Sequence, residues 1–494
     1  MDVIVTVENL SPTNGTFLTP MWMGFHNGGF DLFNPGGTAS PGLESVAEDG
    51  ATTVLMSEFT ASGAGSVQAV TAGAPIAPGQ RRSLRFSLDP SAPGDRYFTY
   101  ASMAIPSNDA FIGNGDPLMQ AVFDGAGRFV GGSWIVPGGQ VWDAGTEVND
   151  ELPANTAFFG QTTAKTGAPQ NGTIQLHAGF KAKGAGGILD AAMFANADFK
   201  AANYQVARIT ISRAVDVVAI VESLALQNGT YLTPLWMGFH NGNFDLFNDG
   251  SPASPGLESV AEDGATTKLS EEFTASGAGS VQAVTSSGPI APGQRRVLSF
   301  SLDPIAPENR YFTYASMVIP SNDAFIGNGN PQGRALFDAA GNFVGGSWIV
   351  TSDQVKDAGT EVNDELPANT AFFGQTTANT GTAQGGTIMT HTGFQARGSG
   401  GILDAAMFAN ADFKALNYQV ARVTLLNSIY VSSITLETGS IRLNWLGGSG
   451  PYVVQVRRSL SEGAWVELLR TAERTAALPP LGTVGFFRVV SLAP

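Results

Sequence analysis

Period-two alternation, not helical spacing, dominates the hydrophobic pattern of this chain. Val3-Ile4-Val5-Thr6-Val7-Glu8 alternates loosely, and 82–88 and 204–211 alternate polar and apolar positions well. A strand sends successive side chains to opposite faces, so these segments read as strands. Residues 98–105 form a nearly continuous apolar run that stops at Pro106, which fits a buried strand. Residues 129–136 predict another strand, with Gly131 and Gly132 pointing to a bulge, and Asp124-Gly-Ala-Gly127 reads as the turn before it. The best helix signal covers Ser40 to Asp49. Ser40 suits the N-cap, Pro41 suits the first helical position, and Leu43, Val46 and Ala47 share a face. A second short helix is expected over Asp190 to Ala201. Many strands with short helices in the connections predict a mostly β chain built of β-sandwiches.

The whole pattern occurs twice. Residues 3–212 align with 217–426 without a gap, at a constant offset of 214. Residues 40–53 recur verbatim at 254–267, 96–103 at 310–317 and 186–201 at 400–415. A period this long is a duplicated globular domain, not a solenoid unit, and the gapless alignment implies one fold in both copies. A copy of this size should bury roughly 70% of its extended-chain surface. After Asn427 the repeat stops. Five alternating runs follow, at 434–437, 441–445, 452–457, 465–469 and 486–490. They resemble a small fibronectin-type-III-like sandwich. The expected domains are therefore 1–213, 214–427 and 428–494. The last is mildly basic, with six arginines against Glu437, Glu462, Glu467 and Glu473.

Composition narrows the function classes. Only 14% of the 494 residues are charged, against about 25% in an average domain, while 61 glycines and 27 prolines fit a turn-rich fold. The net charge of −16 argues against nucleic acid or an anionic membrane as partner. There is no cysteine, which excludes disulfides, thiolate metal sites and cysteine nucleophiles. No apolar run is long enough for a membrane span. The chain reads as strand from Asp2 onward, so an exported protein would have lost its leader.

Two short acidic loops carry the candidate chemistry in each copy. Ser107-Asn-Asp-Ala-Phe-Ile-Gly113 and Asp143-Ala-Gly-Thr-Glu147 recur as Ser321–Gly327 and Asp357–Glu361. Carboxylates beside Gly, Asn and Thr in loops suit a hard cation that takes oxygen ligands. Acids of this kind also cap turns, and both readings stand on the residues alone.

Five spaced motifs of the repeat resemble the spondin domain, the N-terminal module of F-spondin and mindin, which also occurs in bacterial secreted proteins. They are Trp22-Met-Gly-Phe-His26, Ala39-Ser-Pro-Gly-Leu43 with Ala47-Glu-Asp-Gly50, Ile105 to Gly113, Trp142-Asp-Ala-Gly-Thr-Glu147, and Tyr204-Gln-Val-Ala-Arg208. They span nearly the whole copy and return in the second. The resemblance implies a C2-like antiparallel β-sandwich that holds calcium between loops at one end. Carried over position by position, it implies Asp109, Asp143 and Glu147 as calcium ligands, and Asp323, Asp357 and Glu361 in the second copy. Two departures stand out. The last acid is Glu where the family has Asp, and Lys356 replaces Trp142 in the second copy, which sets a cation beside that site.

Other candidates fail on their surroundings. His26, His177, His240 and His391 read as strand histidines with one satisfied hydrogen bond. Glu48 and Asp49 are adjacent acids at a helix end, not a separated acid–base pair. Asn14, Asn171 and Asn228 begin Asn-Gly-Thr sequences and suit turns. No nucleophile elbow or phosphate loop is present. The expectation is a non-enzymatic, secreted calcium-binding adhesion or matrix protein. Its partner would be a protein or glycan of a cell surface or matrix. The alternative is a fibre subunit that self-associates head to tail through its β-domains.

Overall fold

The computed structural model describes residues 1–286, 288–378, 380–461, 463–480 and 485–492, so Glu462 lies outside the described residues. The chain divides into two compact units, Met1–Ala214 and Val215–Pro494.

The first unit contains, in chain order, β1 (Asp2–Asn9), β2 (Phe17–Leu18), β3 (Trp22–His26), α1 (Pro41–Asp49), α2 (Thr53–Ser62), β4 (Val67–Val70), β5 (Arg81–Ser87), β6 (Tyr97–Ile105), β7 (Ala110–Gly113), β8 (Gly132–Pro137), β9 (Trp142–Asp143), β10 (Gln175–Leu176) and β11 (Gln205–Arg213). Four strands form one antiparallel sheet in the order β5-β1-β11-β8. The rest form a second in the order β10-β9-β7-β6-β3-β4, with β2 on β6. Alternation assigns the layers. Val3, Val5 and Val7 of β1, with Phe86, Ile209 and Ile211, face Met23, Phe25, Phe98, Tyr100 and Ile112 of the larger sheet. Trp22 points to the opposite face, where Leu43, Val46, Leu55 and Phe59 of the two helices cover it. The unit is thus sheet, sheet and helix pair. Gly24 lets the Trp22 ring fold back along its own strand; a Cβ there would lie 2.9 Å from the ring.

Helix α1 starts and stops where its sequence says. Ser40 Oγ accepts the Leu43 N–H at 3.1 Å, and Gly50 ends the helix in the left-handed region at φ 66°. Glu58 of α2 ties the pair together, accepting from Ser40 Oγ at 2.7 Å and Gly42 N at 2.8 Å. The helix expected over Asp190 to Ala201 is absent. Two 3₁₀ turns, Ile188–Asp190 and Ala192–Phe194, stand there instead. Glu151 accepts the backbone N–H groups of Lys181 and Ile188, and Asp190 those of Gly184 and Gly186. Those bonds hold a corner that helical bonding would break. The register shift in this sheet falls between Gln205 and Ala207, not at Gly131 and Gly132. Asn14, Asn171 and Asn228 all sit at positive φ, as turn residues.

The second unit repeats this architecture. Its smaller sheet runs Arg295–Leu302, Val215–Ser223, Gln419–Leu426, Ser347–Thr351. A further sandwich follows. One sheet joins Tyr430–Glu437, Ser440–Leu446 and Thr475–Leu478; the other joins Val466–Thr471, Tyr452–Arg457 and Phe486–Ser491. Leu443, Trp445, Tyr452, Val454, Ala476 and Leu478 fill its core. Arg474 of this sandwich pairs with Asp216 and donates from Nε to the Tyr452 hydroxyl at 3.0 Å. In the first copy the equivalent Asp2 pairs with Arg85 at 2.5 Å. Ser299 stands where that arginine would be.

Candidate functional site

Strand pairing assembles the acidic loops. Ser107 Oγ donates to the Ala104 carbonyl and accepts from Ala110 N, which fixes the loop between β6 and β7. Ala110 pairs with Asp143 across β7 and β9, and the Ala144 N–H donates to the Asp109 carbonyl at 3.1 Å. Asp109 and Asp143 are thereby neighbours, and both are buried.

Each carboxylate has a defined set of donors. Asp109 Oδ2 accepts from Thr146 N at 2.8 Å, Glu147 N at 3.1 Å and Thr146 Oγ1 at 3.2 Å. Asp143 Oδ1 accepts from Gly145 N at 2.7 Å, and its Oδ2 from Asn149 Nδ2 at 2.7 Å. Glu147 Oε1 accepts from Gly167 N at 3.0 Å. A Cβ at position 167 would lie 1.9 Å from Glu147 Oε2, so a side chain there would displace the Glu147 carboxylate. Two oxygens are left over: Asp109 Oδ1 and Glu147 Oε2 are buried and have no hydrogen-bond partner.

Supporting residues beyond the acids were not legible as such in the sequence. Gly179 N donates to His177 Nδ1 at 3.0 Å, so the ring proton sits on Nε2, 3.1 Å from Asn149 Oδ1. His177, Asn149 and Asp143 form a chain that orients the Asp143 carboxylate. His177 therefore has both nitrogens engaged, whereas His26 accepts only from Gly28 N and keeps a buried Nε2 without a partner. Glu48 is a third residue of this kind. It lines a cleft of about 370 Å³ with Glu44, Thr146, Glu147, Lys165 and Gly167. The last turn of α1 carries Glu48 to this cleft.

The electrostatics follow from burial. Burial first, and then the nearby Asp143, pushes the Asp109 carboxyl up to about 7. Burial first, and then Glu48, pushes Glu147 up to about 7. Glu48 is also raised, by burial ahead of its acidic neighbours, against a hydrogen bond from Thr146. Burial holds His177 down at about 4, which keeps it neutral. Ionised carboxylates in such a place are costly without a compensating positive charge.

The second copy reproduces the arrangement. Asp323 Oδ2 accepts from Thr360 N and Glu361 N, Asp357 from Gly359 N and Asn363 Nδ2, and Glu361 from Gly381 N. Asp323 Oδ1 and Glu361 Oε2 are again buried without a partner. Burial raises Asp323 to about 6 and Glu361 to about 7. Lys356 does not turn its charge toward these acids. Its Nζ pairs with Asp249 at 2.7 Å, because neighbours on a strand face opposite ways.

Asp109 lies beside Asp143, while Glu147 shares its cleft with Glu48. Among the described residues, no three His, Asp or Glu side chains converge as a ready ligand set. The donors are nevertheless all oxygen, and two buried carboxylate oxygens per copy are unspent. That chemistry fits a hard cation.

No curated protein matches the chain. The sequence model of the family described as Spondin_N matches residues 227–330, a stretch that includes Asp323 and ends before Asp357 and Glu361. No helix among the described residues is long and apolar enough to cross a membrane. The fold and this match together make the matched part of the second copy a spondin-like domain.

Proposed function

We infer that the chain is a secreted, non-enzymatic adhesion or matrix protein whose two repeats each take up calcium at their acidic loops. One observation carries the reading. The same two buried carboxylate oxygens lack a partner in both copies, at Asp109 and Glu147 and at Asp323 and Glu361. Turn-capping acids would spend their oxygens on backbone N–H groups, and these do so with one oxygen only. A bound calcium ion would neutralise the cluster and accept those oxygens as ligands, together with Asp143 or Asp357. The residues of the chain do the rest. Asn149 and His177 hold Asp143 in place, Thr146 anchors Asp109, and Gly167 leaves room for the Glu147 carboxylate. The β6–β7 loop, the loop after β9 and the end of α1 would then form one firm surface for a partner. The spondin-like match supports an extracellular, matrix-related role.

A thermal melt of the full chain in millimolar calcium and in EDTA tests this, repeated for Asp143→Asn and Asp357→Asn. Calcium at about a hundred times its dissociation constant adds about 2.7 kcal/mol to the domain that binds it. The expected result is a calcium-dependent rise that each substitution reduces in its own repeat. An identical melt in calcium and EDTA would overturn the metal reading and leave the acids as turn caps.

A further inference from the structure

A second cleft, in the second copy, has a volume of about 480 Å³ and is lined by Lys356 but not by Asp357. The two copies diverge across it. Asp249 replaces Pro35, Asn330 replaces Asp116, Gly333 replaces Met119, Arg334 replaces Gln120, Asp353 replaces Gly139 and Lys356 replaces Trp142. In the first copy the Trp142 ring packs on Phe33, with centroids 5.0 Å apart. In the second copy that ring is gone, and two cations and two carboxylates have come in.

The new groups are held in place. The Arg334 guanidinium lies over the Trp348 ring, 4.4 Å from its centroid. A guanidinium on an aromatic face keeps its edge N–H donors available in the plane. Among the described residues, no carboxylate pairs with Arg334. Lys356 Nζ, by contrast, is fixed by Asp249. Asp353 Oδ1 accepts from Thr351 Oγ1 at 2.5 Å, and Gln354 Oε1 accepts from Thr351 N at 3.1 Å. Those bonds orient the second Asp353 oxygen and the Gln354 amide donors. Buried Phe247 and Tyr314 form the floor. An anion-ready fork, a carboxylate acceptor, amide donors and an aromatic floor suit a sugar that bears a carboxylate. The cleft is also larger than a single amino acid would need.

We propose that this cleft binds a single uronate unit of a glycan, with the sugar carboxylate on Arg334 and its hydroxyls on Asp353 and Gln354. The site supplies a partner class for the adhesion reading and rests on that reading only for its biological role.

The test is titration of the full chain with trigalacturonate, read by tryptophan fluorescence and calorimetry, in EDTA and then in calcium. One equivalent should bind in EDTA. Arg334→Gln and Lys356→Trp restore first-copy residues, so the fold already accepts both. Arg334→Gln should weaken binding about tenfold or more, the loss of one charge-assisted pair. Lys356→Trp should also weaken it, and neutral galactotriose should bind about tenfold less tightly. Unchanged affinity in Arg334→Gln, no binding by the native chain, or a preference for a sulfated trisaccharide or a dipeptide would overturn the assignment. Uronate binding that persists in EDTA alongside a failed calcium melt would remove the metal reading and support this one.

Discussion

In the first copy Trp142 lies on Phe33, and in the second Lys356 takes its place and reaches Asp249. One residue further on, Asp143 and Asp357 make the same two bonds, to a glycine N–H and an asparagine amide. The difference teaches how a strand separates its two faces. Side chains on one side have drifted from an aromatic plug to a charged cleft. Those on the other are kept, down to the unspent oxygens. The two sets of side chains vary independently because each packs against its own layer.

Exchanging the plug breaks the comparison most strongly. Trp142→Lys should destabilise the first unit by about 3 kcal/mol, the scale of emptying a large aromatic site, as measured by thermal melts. Lys356→Trp should leave the second unit at least as stable. An unchanged melt for Trp142→Lys would mean that the ring contributes nothing to packing.

A smaller effect is expected from the buried relay. Asn149→Ala and Asn363→Ala each leave a histidine and a carboxylate oxygen without a partner, at a cost of about 1–3 kcal/mol. The two values should agree, and chemical denaturation would show a mismatch if the copies differ at this level.

The pH dependence sharpens the comparison further. Without metal, the folded chain holds protons on Asp109 and Glu147 up to about pH 7, while the unfolded chain releases them near ordinary carboxylate values. Their contribution is therefore fully present below about pH 4 and lost as the pH rises through 7. In EDTA, denaturation at pH 8 should find the protein less stable than at pH 6.5, a window above the range in which the four buried histidines, held down at about 4, charge in the unfolded chain and act in the opposite sense. Calcium should reverse that order, since it binds the ionised acids.

The smallest effect concerns the terminal sandwich. Asp216→Asn removes the charge opposite Arg474 but leaves an amide oxygen that can still accept from it, so a loss of about 1 kcal/mol is expected. Limited proteolysis should cut faster at the junction near Asn427 while the melt of the repeats stays unchanged.

Much of the fold was legible because its signals are local. The Ser40-Pro41 start and Gly50 stop mark α1, and the alternation of 82–88 and 204–211 marks β5 and β11. Helix α2 went unseen because its N-cap, Thr52, makes no side-chain capping bond and its apolar residues do not form a clean stripe. The strand Thr475–Leu478 is short and alanine-rich, with little β signal of its own. The candidate acids stand out through their loops, but Glu48 is, in the sequence, only one of two adjacent acids at a helix end. Only the docking of α1 on the larger sheet carries it to Glu147. His177 and Asn149 were likewise invisible as partners of Asp143, because β9–β10 pairing joins them and no spacing encodes it. Lys356 looked like a threat to the second site, and its pairing with Asp249 is a tertiary fact.

A tandem duplication supplies every surface twice, and the terminal sandwich, joined by three residues to the last strand of the second copy, meets only one of the two versions. One side chain decides what it finds there. Arg85 satisfies Asp2 from within its own sheet, while Ser299 is too short to do the same for Asp216, which receives Arg474 instead. A carboxylate common to both copies has become an address on only one of them. Ser299→Arg would give Asp216 a partner within its own sheet and set it in competition with Arg474, while the Arg295 guanidinium would keep its place over the Tyr430 ring.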